Sequence, residues 1–372
     1  MIVFDKAGKP VEIYVAHYDP HIHGRRGAMK KFLLGEVSRR ICGAAFEPNT
    51  NKHLYTCADV EEYLDEARKI APGPKWVGSI YLTTGTSLAE VERAWTRRII
   101  SHVKKYPPHG TTYSDESQVT PEMLLDVNSA VGKLLCGLAE LGVPVKTHGE
   151  VLFWNGKRVH PQNREGTWYT EIQPRLDEIY RKRGLRQIGA HITTGEAADY
   201  YEKNGDSDSC VAEITCHHLY DDWNQQFDGG FHLNDHHWLP TSKNEYHTDR
   251  VRELVRKRLP FIHAASDMAG HPTTNKYAEK AFGGGYTYHC SLELYVQILE
   301  TLSVIDFADQ FLYENAKRFH KDLVPDNPKP FRLIREDWTV ADRSKYDGGE
   351  MTPYGYDSDP KKRIVFKWKL AA

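Results

Sequence analysis

Eight short apolar runs alternate with helix-like segments along this 372-residue chain, and that alternation constrains the fold more than any other feature. The runs cover 13–16, 41–46, 76–82, 99–103, 143–147, 187–190, 211–216 and 261–266. A strand covered on both faces reads as a continuous apolar run, and strands that alternate with helices build a parallel sheet. Eight such units predict an α/β fold, a (β/α)8 TIM-like barrel. Between the runs, Val60, Tyr63, Leu64, Ala67 and Ile70 recur at helical spacing. Ser87 with Glu90, and Thr193 with Glu196, read as capping boxes. Thr120-Pro121 opens an amphipathic helix that carries Leu124 to Leu138 and stops at Gly142. No repeat, low-complexity block or linker divides the chain. One domain over 1–372 is expected, with 324–372 as a C-terminal extension packed on the barrel.

The polar residues sit where such a barrel places its chemistry, at the C-terminal ends of its strands. His21 and His23 follow the first run, Lys104 the fourth, His148 the fifth, His191 the sixth and Asp267 the eighth. Residues i and i+2 of a strand face the same way, so His21 and His23 can meet one cation. Singly, each has a plain reading: a strand histidine as a core hydrogen bonder, Lys104-Lys105 as a solvated pair, Asp267 as a helix cap. In barrel order they make a metal site. Four histidines exceed what one open zinc site needs, which points to two divalent metal ions, with zinc suited to nitrogen-rich ligation. Two neighbouring cations need an anion between them. Lys104 as a carbamate (N6-carboxylysine) would supply one, and a shared water would be acidified. Asp267 is placed to take that water's proton and hand it to a leaving nitrogen.

The order His-x-His-x-Arg, Pro-Asn, Lys-x-Tyr-Pro with Thr-Thr, His-Gly-Glu-Val, His-Ile-Thr-Thr, His-His-Leu and Asp-x-Ala-x-His resembles the amidohydrolase superfamily. More narrowly, it is similar to the short bacterial (type II) dihydroorotases, from about residue 12 to about 340. That resemblance implies His21 and His23 on one zinc, His148 and His191 on the other, Lys104 bridging as carbamate, and Asp267 as ligand and general base. It implies Arg25, Asn49 and His271 as the grip on a substrate's carboxylate and ring, and Thr111 and Thr112 as a mobile loop over it. The implied activity is interconversion of N-carbamoyl-L-aspartate and dihydroorotate in pyrimidine biosynthesis. A dihydropyrimidinase-like or hydantoinase-like hydrolase is the alternative, and a catalytically silent assembly partner a third reading. The chain departs from the pattern at Ala190, at Asp221-Asp222-Trp223-Asn224 and at Phe282-Gly283-Gly284-Gly285-Tyr286. There Gly283 and Gly284 either offer backbone groups to the substrate or form a flexible loop. His218 is expected to be structural. For Arg25 the competing reading is an ion pair with Glu47 or Asp19.

Composition narrows the partners. A net charge of −2 gives no electrostatic reason for nucleic acid or an anionic membrane. The first residues show no basic-then-apolar leader, and no run approaches the ~18 apolar residues of a membrane span. The 6 cysteines are scattered without CxxC spacing, and 19 histidines are many for the length. Reduced thiols, a cytoplasmic location and a small-molecule substrate are the expectation, with a homodimer allowed.

Overall fold

The computed structural model describes residues 1–227, 236–340 and 342–371; part of the histidine-rich loop that ends near Lys243 lies outside them. Eight parallel strands form one sheet: β1 Tyr18–Ile22, β2 Gly43–Phe46, β3 Lys75–Tyr81, β4 Ile100–Lys105, β5 Val145–His148, β6 Gln187–Ala190, β7 Cys210–Ile214 and β8 Ile262–Ala264. They lie in chain order, each paired with the next. A parallel bridge from Ile22 to Met268, with His23 N donating to Met268 O at 3.0 Å, draws β1 toward the segment after β8. The fold is therefore a nearly closed α/β barrel of the TIM type. Every residue of β1, β2, β4, β6 and β7 is buried, as helices on the outer face and side chains in the lumen require.

Five details differ from expectation. The run 13–16 is not the first barrel strand. It falls in Pro10–Val15, which pairs antiparallel with Ile2–Phe4 and with Phe331–Trp338, in a four-stranded sheet completed by Phe366–Leu370. That strand buries Ile13 and Val15 and half-buries Tyr14 between them, the alternation of a one-sided antiparallel strand. The barrel strand begins at Tyr18 because the buried stretch there includes Asp19 and His21, polar residues that an apolar pattern cannot flag. Second, β4 runs to Lys105, so Lys104 lies inside the strand and projects into the lumen with no exposure.

Third, the capping residues shift. Ser87 makes no cap bond, and Glu90 instead accepts from Cys57 N at 3.0 Å. Thr194, not Thr193, caps Gly195–Asn204; Thr193 donates to the buried Glu165. Fourth, the helix from Thr120 is two helices, Pro121–Leu125 and Ala130–Leu141, the second capped by Ser129. A Cβ on Gly132 would lie 2.0 Å from Asp126 O, so the break needs glycine there. Fifth, His217 and His218 lie on the short helix Cys216–Tyr220, capped by Thr215, rather than at a strand end.

Candidate metal centre

The strand ends bring the candidate donors together. Asp267 Oδ1 lies 2.9 Å from His23 Nε2 and 3.2 Å from His21 Nε2. Lys104 Nζ is 3.4 Å from His21 Nε2. The ring centroids of His148 and His191 are 4.6 Å apart, and those of His21 and His191 5.2 Å. Ligand atoms of His21, His191 and Asp267 all fall within 4.8 Å of one another, a spacing that could hold a metal ion. Three groups here, Arg25, His191 and Asp267, have φ of 57°, 40° and 46°. Left-handed backbone is unfavourable for residues with a Cβ, and it tends to persist where a site over-determines the conformation.

The donor chemistry fits a cation. Burial, and then His148, hold His191 well below an ordinary imidazole. Its ring is therefore neutral, and its Nδ1 is buried without a hydrogen-bond partner. Burial pushes His23 down to about 4. Burial also raises Asp267, but His21 and the bonds from His21 and His23 outweigh it and keep the carboxyl well below its usual range. His21 itself is raised, because Glu47, Asp267 and Glu213 together overcome its burial. Burial lowers Lys104 against the opposing pull of Glu47. A more readily neutral amine is the form that can react with carbon dioxide. His148 Nε2 lies 2.7 Å from Glu150 Oε2, which leaves Nδ1 as the nitrogen free to bind.

Beside these donors lies a small cavity of about 30 Å³, lined by His21, His23, Arg25, Asn49, Tyr106, Thr111, Thr112, His148, His191, Leu239, Asp267, Ala269, Gly283 and Gly284. Arg25 does not pair with Glu47 or Asp19. Its Nε donates to Gly270 O at 2.9 Å and its Nη2 to His271 Nε2 at 2.8 Å. His271 thus stands behind Arg25 rather than on the cavity wall. Asn49 accepts from Tyr106 OH at 2.7 Å and donates to Thr112 O at 3.0 Å. Thr112 Oγ1 donates to Gly283 O at 3.3 Å. These bonds close the Thr111–Thr112 loop against the opposite wall. Gly284 has φ of 142°, and a Cβ there would meet Ala269 O at 2.4 Å, so glycine serves a close approach at that position. His218 bonds Thr215 Oγ1 at 2.7 Å and Pro240 O at 2.9 Å, which holds the Leu239 loop.

Several buried residues at the site carry no motif. Glu47, Lys146 and Glu213 have no exposure and lie beneath His21 and Lys104. A charged residue inside an otherwise apolar strand run was the available signal, in 143–147 and 211–216. Tyr106 was visible only as part of Lys-x-Tyr-Pro.

No protein-family model matches the chain. Curated relatives do. The dihydroorotase of Methylobacillus flagellatus is 30% identical over 339 residues, covering 90% of this chain and 93% of the relative. The dihydroorotase of an Azoarcus species is 30% identical over 329 residues, covering 87% and 90%. Among solved structures, Saccharomyces cerevisiae dihydroorotase in complex with 5-fluoroorotic acid superposes with a TM-score of 0.84 at 22% identity, over 97% of this chain and 98% of that one. A D-hydantoinase superposes with a TM-score of 0.68 at 15% identity, over 96% and 82%.

Proposed function

The chain belongs to the dihydroorotase family, and from that membership we propose that it interconverts N-carbamoyl-L-aspartate and dihydroorotate, a step of pyrimidine biosynthesis. The observation that carries the substrate is Arg25. The residue is 7% exposed, lines the cavity and lies beside the metal-type donors. A buried cation of that geometry needs an anion, and a carboxylate-bearing ring supplies one through two parallel hydrogen bonds. Dihydrouracil and hydantoin offer none. Asn49 and His271 complete the grip, His271 by holding Arg25.

His21, His23, Lys104 (as N6-carboxylysine), His148, His191 and Asp267 would hold two divalent cations, zinc being suited to so many imidazoles. When bound, such cations polarise a carbonyl and make water a better nucleophile at neutral pH. The chain's own residues do the rest. In ring opening, Asp267 accepts a proton from the attacking water and returns it to the ring nitrogen as the C–N bond breaks. In ring closure the same proton travels in reverse. Arg25 and Asn49 hold the ring so that its amide faces Asp267. Thr111 and Thr112 lie across the cavity, where they would exclude bulk water, the loop opening to admit substrate.

The chain is read as one barrel domain over 1–372, with 324–372 packed on it, working in the cytoplasm alone or as a homodimer. The six cysteines are free, in keeping with that compartment, and no helix of the described residues is long and apolar enough to cross a membrane. The test is ring opening by metal-loaded protein of dihydroorotate, dihydrouracil and hydantoin side by side. Opening of dihydroorotate well ahead of the other two is expected. Equal rates on dihydrouracil would replace this reading with a hydantoinase-like one.

A further inference from the structure

The barrel lumen beneath the candidate metal centre holds charge where such barrels usually pack branched apolar side chains. Lys146 on β5 lies between two carboxylates. Its Nζ is 2.6 Å from Glu213 Oε1, 3.0 Å from Glu47 Oε1 and 2.7 Å from Pro20 O. The ammonium donates to Pro20 O and Glu47 Oε1 and faces Glu213 Oε1 as an ion pair. The carboxylates each reach onward. Glu213 Oε2 lies 2.7 Å from His21 Nδ1, and Glu47 Oε2 lies 3.1 Å from Lys104 Nζ. The result is a continuous chain, His21–Glu213–Lys146–Glu47–Lys104, entirely shielded from solvent. It begins on one metal-type donor and ends on another.

Burying three charges is costly, and an apolar trio of similar volume would pack the lumen at no such cost. What the ions provide is direction. An imidazole that donates Nδ1–H to a carboxylate has its tautomer and ring plane fixed, and its Nε2 lone pair is left to bind. For His21 that nitrogen is the one facing Asp267 and Lys104. Glu213 could swing away from the ring if free, but Lys146 holds its second oxygen, and Pro20 O and Glu47 hold Lys146.

We propose that Glu213 is a positioning residue of the metal centre, committing His21 Nδ1 so that Nε2 is presented to the cation, with Lys146 and Glu47 anchoring it. The inference rests on the two-metal reading above and names residues that the motifs do not contain. The test strips the purified protein of metal and titrates zinc back against a chromophoric chelator. In Glu213→Gln, one of the two binding steps should weaken by about 10- to 100-fold. The other step should stay near the wild-type value, while the melting temperature of the metal-free protein falls because Lys146 loses a buried counter-charge. A merely structural role would lower melting temperature and leave the affinity of folded protein alone. Both steps at wild-type affinity in folded Glu213→Gln would overturn the proposal. Should that variant not fold, nitrogen-15 histidine spectra of unaltered zinc-loaded protein decide: Nδ1 of His21 protonated supports it, and Nδ1 bound to zinc overturns it. Wild-type protein that takes up no zinc would overturn the metal reading itself, an outcome distinct from failure of Glu213 alone.

Discussion

Arg25→Lys separates a carboxylate grip from a general structural role, because it keeps the charge and removes the fork. Arg25 is anchored through Nε to Gly270 O and through Nη2 to His271, and its remaining guanidinium protons are available to the cavity. Lysine has neither the Nε anchor nor a second parallel donor, so it would offer a carboxylate at most one of two charge-assisted bonds. A hydrogen bond to a charged group is worth about 1.5–3 kcal/mol. At about 1.36 kcal/mol per factor of ten, losing one predicts a rise in KM for dihydroorotate of about 10- to 150-fold. Arg25 is buried, so solvent screening should not erase the effect. Initial rates of ring opening, followed by ultraviolet absorbance over a range of substrate, give KM and kcat separately, and metal content is measured on the same samples. The metal content should not change, and any slow opening of dihydrouracil should be unaffected. A KM within about twofold of wild type would refute the grip, since a lost charge-assisted bond cannot be that small.

Lys104→Ala should be nearly inactive and hold less metal, and labelled bicarbonate should mark Lys104 in reconstituted wild-type protein; wild-type rates in Lys104→Arg would exclude a carbamate. Asp267→Asn should lower turnover by about 100-fold or more, as loss of a general base does, while metal occupancy falls far less. Equal losses would make Asp267 a ligand only. Burial pushes His17, His102 and His263 each down to about 4. The unfolded chain therefore binds more protons below about pH 6.5, and stability is complete above that value and is lost as pH falls toward about 4. The melting temperature of metal-free protein should drop between about pH 7 and pH 5, and a flat profile would contradict the buried neutral rings. Gly189→Ala would place a Cβ 2.0 Å from Tyr201 Oη and 2.6 Å from Tyr169 Oη. Chemical denaturation should show a loss of about 1–3 kcal/mol, the usual cost of overpacking.

The barrel and its metal-type donors were legible in the chain because both are local properties. A strand covered on both faces must be apolar along its length, and a helix on one face must repeat at 3.6, so runs and periods suffice to count the units. Polar residues at or near the ends of five runs then fall toward the C-terminal face by topology, which is why His21, His23, Lys104, His148, His191 and Asp267 could be expected to converge from the sequence alone. The same locality misread the run 13–16. Apolar content does not tell a barrel strand from one paired antiparallel with Phe331–Trp338, a partner more than 300 residues away. Nor could it assign Glu47, Lys146 and Glu213, which stand about 100 and 70 residues apart in the chain. In sequence each is one charge among many. Only the side-by-side order of β1, β2, β4, β5 and β7 around a shared lumen removes water from all three, and without water each must find its counter-charge in the others.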